Sequence, residues 1–204
     1  MIQRIEEPDV DPRITRDDGY LSQSLGRLAG GGLPPLLPTV VGALVTVSLA
    51  VAGFGHLSGT TLLAPVVALL VAGVGVGHRH DGRWDWLVAP ILRGTEYLYV
   101  VALGYGFAVP GPLVLLLLGA LVTLHSGVVD GLRSRECPAP WIGLAALGWD
   151  GRMLLLALGG MLGWLPLVWV LLTCYLWTLH GWTAARWLLS SSAVRVPSTN
   201  ATEA

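Results

Sequence analysis

Two polar stretches of the sequence carry residue types that can bind a metal ion and phosphate groups. Carboxylates supply the hard oxygen ligands that Mg²⁺ prefers, and guanidinium groups form paired hydrogen bonds with phosphates. Both types occur in segments 78–86 and 130–152. Their composition makes a polar site for a phosphate-containing ligand one hypothesis for the chain. Its candidate residues in these segments are His78, Asp81, Arg83, Asp85, Asp130, Asp150 and Arg152.

The same carboxylates have a structural alternative, because Asp is a preferred N-cap residue of helices. Asp81 and Asp150 each precede a Gly-Arg pair and a long apolar stretch. For Asp150 the N-cap is the favoured interpretation. For Asp81 the cap and the ligand are equally supported, so both readings stay open.

A second set of ionisable residues lies inside the apolar stretches, where a charge is expensive. Arg93 and Glu96 are three residues apart, so on a helix they can form an ion pair. Counted from Trp86 they lie about 10 and 15 Å along the helix, and His125 and His180 come out at similar depths. Four ionisable groups at one depth predict either a polar cavity open to the cytoplasm or a helix bundle that contains an interior ion pair.

These residues must be positioned by elements that are unusually apolar. The chain has 204 residues, of which 53% are hydrophobic and only 12% charged. Soluble domains carry about 25% charged residues, so an ordinary soluble enzyme is excluded, and so is a disordered chain. The net charge of −1 gives no basic surface for nucleic acid.

The apolar stretches predict membrane-spanning helices. Four of them have about 18 to 23 residues each, enough to cross a hydrocarbon core. The last block would extend about 55 Å as one helix, which is too long for one span. A turn at Gly163-Trp164-Leu165-Pro166 divides it, so six spans are expected. The apolar stretches are 38–57, 60–77, 87–109, 112–129 and 153–189.

The arginines predict the orientation of these spans. Every basic residue is Arg, and all but Arg93 lie before the first span, in the two longer loops or after the last span. By the positive-inside rule, both termini and both longer loops are cytoplasmic. The predicted fold is therefore an all-α polytopic bundle of about six transmembrane helices in the inner membrane.

Three regions follow from this topology. Residues 1–32 form a cytoplasmic segment in which Leu21, Leu25 and Leu28 predict a helix lying on the membrane surface. Residues 33–189 form the membrane domain, and residues 190–204 are expected to be a disordered cytoplasmic tail.

Two motifs carry a resemblance to a known domain. They are His80-Asp81-Gly82-Arg83-Trp84-Asp85-Trp86-Leu87, followed by Leu92-Arg93-Gly94-Thr95-Glu96-Tyr97, and Gly148-Trp149-Asp150-Gly151-Arg152-Met153. Over about residues 60–185 the chain resembles an uncharacterised bacterial membrane domain. That domain occurs C-terminal to nucleotidyltransferase-like and CDP-alcohol phosphatidyltransferase parts in fusion proteins. The resemblance implies a setting in lipid metabolism and brings no established activity.

A weaker similarity points to the CDP-alcohol phosphatidyltransferases themselves, which are six-helix membrane enzymes with a cytoplasm-facing metal site. The segment Arg16-Asp17-Asp18-Gly19-Tyr20 looks like their N-terminal entry. Their motif, laid on the chain from position 78, matches at Asp81 and Gly82. Three of its four metal carboxylates are absent, because His78, Tyr99 and Leu103 stand in their places.

Three functions are compatible with these features. The leading hypothesis is a non-catalytic partner or lipid-binding scaffold in phospholipid or polyprenyl-phosphate metabolism. Its expected partners are the lipid bilayer and a CDP-alcohol phosphatidyltransferase or a second copy of the chain. The alternatives are a divergent phosphotransferase that uses Mg²⁺ and a small transporter or channel. The transporter path would run along Arg93, Glu96 and His125, and the Mg²⁺ ligands would include Asp81 and Asp85.

Overall fold

The computed structural model describes residues 17–30, 34–52, 59–78, 83–133 and 140–193. Within these ranges all regular structure is helical. The helices are α1 (Tyr20–Ala29), α2 (Leu36–Ala52), α3 (Ala64–Gly73), α4 (Val88–Gly106), α5 (Gly111–Arg133), α6 (Pro140–Ala145), α7 (Gly148–Met161) and α8 (Leu165–Ala193). Short 3-10 segments at Gly59–Leu63, Val74–Gly77 and Asp85–Leu87 extend α3 and α4.

Within the described residues, the predicted apolar stretches coincide with α-helical or 3-10 segments; residues 53–57 of the first stretch lie outside the described residues. The break within 153–189 is confirmed, since α7 ends at Met161 and Gly163 has a φ of 73° before α8 begins. Two boundaries differ from the prediction. α5 continues to Arg133, so the backbone of Asp130 is helical rather than part of a loop. α8 continues to Ala193, because the polar residues after Leu189 extend the helix by one turn.

Two helical stretches are long and apolar enough to cross a membrane by length and composition, Asp85–Gly106 and Leu165–Arg186. Shorter apolar helices cover Leu36–Val51, Thr61–Gly73 and Gly111–Gly127. An all-helical fold with candidate membrane helices is thus established for the described residues, and the number of spans stays a prediction.

The core lies where α3, α4, α5, α7 and α8 meet. Its largest fully buried side chains include Trp149 and Met153 on α7, Trp169 on α8 and Leu103 on α4. α2 packs on α3 and α4, whereas α8 packs on α5 and α7. α1 lies across one end of this bundle, against α3, α7 and the Val74–Gly77 segment. This position brings the residues just before α1 to the start of α7.

Candidate functional site

The guanidinium of Arg152 is the centre of a buried polar cluster. Arg152 is 1% exposed, and its Nε and Nη2 donate to Glu96 Oε1 at 2.6 Å and Oε2 at 3.0 Å. Nη2 also donates to Asp17 Oδ2 at 2.7 Å, and Nη1 to the Ala146 carbonyl at 3.0 Å. An arginine has five N–H donors, so these four bonds leave at most one for an external ligand.

His125 of α5 completes the cluster from the opposite side. Its Nδ1 lies 2.6 Å from the hydroxyl of Tyr97, and its Nε2 lies 3.5 Å from Asp17 Oδ2 and 3.8 Å from Glu96 Oε2. His125 is 4% exposed and Glu96 is 1% exposed. The polar groups therefore face one another and not an open cavity. We call Asp17, Glu96, Tyr97, His125 and Arg152 the Arg152 cluster.

Asp17 is the only member of the Arg152 cluster outside the helices. Its φ of 54° lies in the left-handed region, which Asp tolerates better than most residues. Burial alone raises the pKa of this carboxyl, but the adjacent Arg152 guanidinium and His125 ring outweigh burial and hold the pKa below its ordinary value. Asp17 is therefore ionised at neutral pH and ties the chain before α1 to α7.

The N-termini of α1 and α7 cap each other. The first N–H groups of a helix have no partner inside the helix, so they need acceptors from elsewhere. Asp150 Oδ2 accepts from the Ser22 amide at 2.8 Å and from the Ser22 hydroxyl at 3.1 Å. In return the Asp17 carbonyl accepts from the Trp149 amide at 3.1 Å. The Trp149 indole donates to Asp18 Oδ1 at 3.0 Å.

These contacts correct the predicted role of Asp150. The residue at the N-cap of α7 is Leu147, with a φ of 68°, and Asp150 lies in the first turn. Asp150 caps α1 instead, 128 residues away in sequence from Ser22. Oδ1 of Asp150 accepts from the Gly151 amide of α7 at 2.9 Å, and Oδ2 reaches the Ser22 amide because the N-termini of α1 and α7 pack against each other.

Two glycines allow the N-termini of α1 and α7 to approach this closely. A Cβ at Gly19 would overlap the Asp150 carboxylate and the Leu147 carbonyl, and a Cβ at Gly148 would overlap the backbone of Gly19. Gly148 also has a φ of 63°, which side-chain-bearing residues rarely adopt. The motif Gly148-Trp149-Asp150-Gly151-Arg152 thus serves mainly to bind the residues around α1.

Three of the predicted candidate residues come together in the Arg152 cluster: Glu96, His125 and Arg152. The predicted partner of Glu96 was Arg93, and this expectation was wrong. Both Glu96 oxygens accept from Arg152, because the fold places that guanidinium between α4 and α7. Arg93 is half-buried. His180, expected at the same level, instead has its Nε2 2.8 Å from the Ala120 carbonyl.

The remaining candidates lie in other surroundings. His78 follows the Val74–Gly77 segment and is half-buried. Arg83 is exposed, with its guanidinium 5.3 Å from the centre of the Trp84 ring, and half-buried Asp85 begins the 3-10 turn before α4. Asp81 and the side chain of Asp130 lie outside the described residues.

A metal centre is not formed by the part of the chain that the structure describes. There, no three His, Cys, Asp or Glu side chains are arranged so that they could hold a metal ion. Asp150, one of the proposed oxygen ligands, has both oxygens engaged by backbone amides. The chemistry that this arrangement supports is charge neutralisation and helix capping inside the protein.

Sequence reasoning missed Asp17, Ser22 and Tyr97 as members of this region. Tyr97 was assigned no role, although its hydroxyl contacts His125. No local spacing indicates Asp17, since Asp17 and Arg152 are 135 residues apart.

The chain belongs to a family of unknown function, DUF5941, whose sequence profile matches residues 14–202. This match includes both the Asp17–Ser22 segment and the α7 motif. No curated protein and no solved structure matches the chain.

Proposed function

We propose that this protein is a non-catalytic membrane scaffold that binds lipid and an enzyme of phospholipid or polyprenyl-phosphate metabolism. In this proposal it crosses the cytoplasmic membrane six times, with both termini inside. The observation that carries the non-catalytic part is the commitment of the candidate catalytic groups to each other. Four of the five N–H donors of Arg152 bond to Glu96, Asp17 and a carbonyl, and both Asp150 oxygens accept from backbone amides.

The outer surface supports the membrane part of the proposal. Water-soluble monomers rarely expose large contiguous apolar patches. Here many large apolar side chains are exposed along the helices, including Leu162, Leu115, Val51, Leu44 and Leu171. Lipid chains are the partner that suits such a surface. The exposed Trp84, Trp86 and Trp164 lie near helix ends, and Trp182 lies near the end of the candidate span Leu165–Arg186, where interfacial aromatics are expected.

The link to lipid metabolism rests on the two sequence motifs and their resemblance. A phosphotransferase alternative needs several free carboxylates around Mg²⁺. Asp150 is unsuited to that role because both of its oxygens already accept hydrogen bonds. Three of the four carboxylates in the phosphatidyltransferase motif are absent, and the residues in their places, His78, Tyr99 and Leu103, supply no carboxylate oxygen. A transport path along Glu96 and His125 is likewise disfavoured by their burial.

Enzyme and scaffold can be separated with the purified full chain in lipid nanodiscs. With CDP-diacylglycerol, Mg²⁺ and a polar alcohol acceptor, we expect no release of CMP above a protein-free control. Release that requires Mg²⁺ and is lost in Asp81→Asn would overturn the non-catalytic assignment. The matched control is Asp9→Asn, a carboxylate that is not among the candidate ligands.

Partner binding is tested by co-expression with a CDP-alcohol phosphatidyltransferase from the same organism. We expect the two proteins to co-purify in mild detergent and to retain phospholipid detectable by mass spectrometry. A chain that co-purifies with neither enzyme nor lipid contradicts the scaffold. An unrelated six-helix membrane protein expressed in the same way controls for non-specific association.

A further inference from the structure

The Arg152 cluster contains a buried nitrogen whose hydrogen-bonding capacity is unmet. His125 Nε2 has no hydrogen-bond partner within the described residues and is inaccessible to solvent. It points between two carboxylate oxygens, Asp17 Oδ2 at 3.5 Å and Glu96 Oε2 at 3.8 Å. Buried polar atoms without partners are rare, and each one needs an explanation.

A charge count gives that explanation. Asp17 and Glu96 contribute two negative charges, whereas Arg152 contributes one positive charge and cannot lose its proton. The contacting groups therefore carry a net charge of −1 if His125 is neutral. A buried net charge is costly because nothing inside the protein replaces its hydration. One proton on His125 removes this charge and turns Nε2 into an N–H that faces both carboxylates.

Among the described residues, the charged groups on α1 and α7 do not supply the missing positive charge. On the α1 side, Asp18 accepts from the neutral Trp149 indole and so adds negative charge; on α7, Asp150 faces the two helix N-termini, whose partial positive charges offset it. On α4, Arg93 lies close enough to act on the Tyr97 hydroxyl, but it is half-buried and so in part hydrated. Tyr97 itself is neutral and accepts from or donates to His125 Nδ1.

We propose that the Arg152 cluster is a binding site for one exchangeable proton, held by His125, and that this proton keeps residues 17–29 docked on the helix bundle. The proton affects docking directly through Asp17. Asp17 Oδ2 is shared between Arg152 and His125, so loss of the proton leaves Asp17 and Glu96 to compete for one guanidinium. Glu96 has two bonds to Arg152 and sits within α4, whereas Asp17 has one and lies on non-helical backbone.

Asp17 is therefore the group that yields when the proton leaves. Its departure also removes the Asp17 carbonyl from the Trp149 amide and loosens the entry into α1. The docked state binds one proton more than the released state. By linkage, the contribution of this proton to docking is full while His125 holds it and falls by at most about tenfold per pH unit as it is lost.

The test is amide hydrogen exchange of residues 20–29 in the full chain in nanodiscs, corrected for the intrinsic pH dependence of exchange. Across a series from about pH 6 to pH 9, we expect protection of α1 to fall in the wild type as the proton is lost. The matched control is His180→Gln. Among the described residues, the His180 ring contacts the Ala120 carbonyl and the Trp177 ring, and it forms no ion pair with a carboxylate. This variant should keep the wild-type profile.

Two variants separate the proton from mere packing. His125→Gln keeps a polar side chain but binds no proton, so α1 should be weakly protected at every pH. Asp17→Asn removes the surplus negative charge, so its protection should be nearly independent of pH between 6 and 9. If His125→Gln fails to fold, Asp17→Asn and the wild-type series still decide the matter.

A direct readout completes the test. In protein with ¹⁵N-labelled histidine, both ring nitrogens of His125 should give N–H signals at pH 6.5, with assignment by comparison with His125→Gln. A neutral ring at that pH, or wild-type protection that does not change with pH, overturns the proposal. These outcomes are independent of partner binding, so they are distinguishable from a failure of the scaffold proposal.

Discussion

The Arg152 side chain connects three parts of the chain: α7, on which it lies, Glu96 on α4, and Asp17 before α1. Such a contact could not be predicted from spacing, because Glu96 and Arg152 are 56 residues apart. Local spacing offered Arg93, three residues from Glu96. What the sequence did predict is that an ionised Glu96 in an apolar stretch needs a buried partner.

Removal of Arg152 should be the most damaging single change in the cluster. Arg152→Met leaves two buried carboxylates without their cation, so we expect a loss of about 3–5 kcal/mol, as for other broken buried ion pairs. The double change Arg152→Met with Glu96→Gln should recover part of that loss. The measurement is thermal unfolding in detergent.

The control for Arg152→Met is Arg83→Met, at an exposed arginine, where we expect a change within about 0.5 kcal/mol. An Arg152→Met protein as stable as the wild type would show that the cluster contributes nothing to stability. Arg152→Lys should be closer to Arg152→Met than to the wild type, because an ammonium cannot bridge two carboxylates in the same fork.

Asp17 should make the N-terminal docking sensitive to acid. Its folded-state pKa lies below the unfolded value, since Arg152 and His125 outweigh the opposing effect of burial. The stabilisation is therefore complete above the ordinary carboxyl pKa of about 4 and is lost as pH falls through the lower folded value. Protection of α1 against hydrogen exchange should fall below about pH 4 in the wild type. In Asp17→Asn this acid-dependent step should be absent; its persistence there would assign the step to another carboxyl.

At the scale of elements, the helices were the predictable part. The apolar stretches and the turn at Gly163 predicted the helix positions. The length of an apolar stretch indicates a helix, and glycine and proline residues indicate where it ends. The docking of α1 on α7 was not predictable. It depends on two glycines that touch, Gly19 and Gly148, and on a capping carboxylate supplied by another helix.

Gly148→Ala should undo this docking. The new Cβ would meet the Gly19 backbone, and the φ of 63° is strained for alanine, so we expect a loss of about 1–3 kcal/mol. Gly94→Ala is the matched control, since a Cβ there meets nothing within 4 Å and alanine favours the helix. Unfolding in detergent, read together with the exchange of α1 amides, measures both. Equal behaviour of the two variants would contradict the described contact.

At the scale of the whole molecule, the apolar exterior and the distribution of arginines make one topological prediction. Residues around 58 should face the periplasm, and residues around 192 the cytoplasm, because the arginines lie on the side of the longer loops. Single cysteines at Ser58 and Ser192, without Cys137 and Cys174, should react differently with an impermeant thiol reagent on intact cells. Labelling at 192 without labelling at 58 would reverse the orientation, and lysed cells provide the control for accessibility of both positions.

The reciprocal caps between α1 and α7 have a consequence for the time course of synthesis. Ser22 and its acceptor Asp150 are separated by 128 residues. At translation rates of about 5–20 residues per second, α1 waits about 6–26 s after leaving the ribosome before its acceptor is made. During that interval the exposed leucines of α1 can rest on the bilayer, and the Asp17 carboxylate lacks the Arg152 guanidinium. Nascent chains stalled before Gly148 should therefore carry an N-terminus that lacks its contacts with α7 and is more sensitive to protease than that of the full chain, and full protection should appear only after the ribosome has passed Arg152.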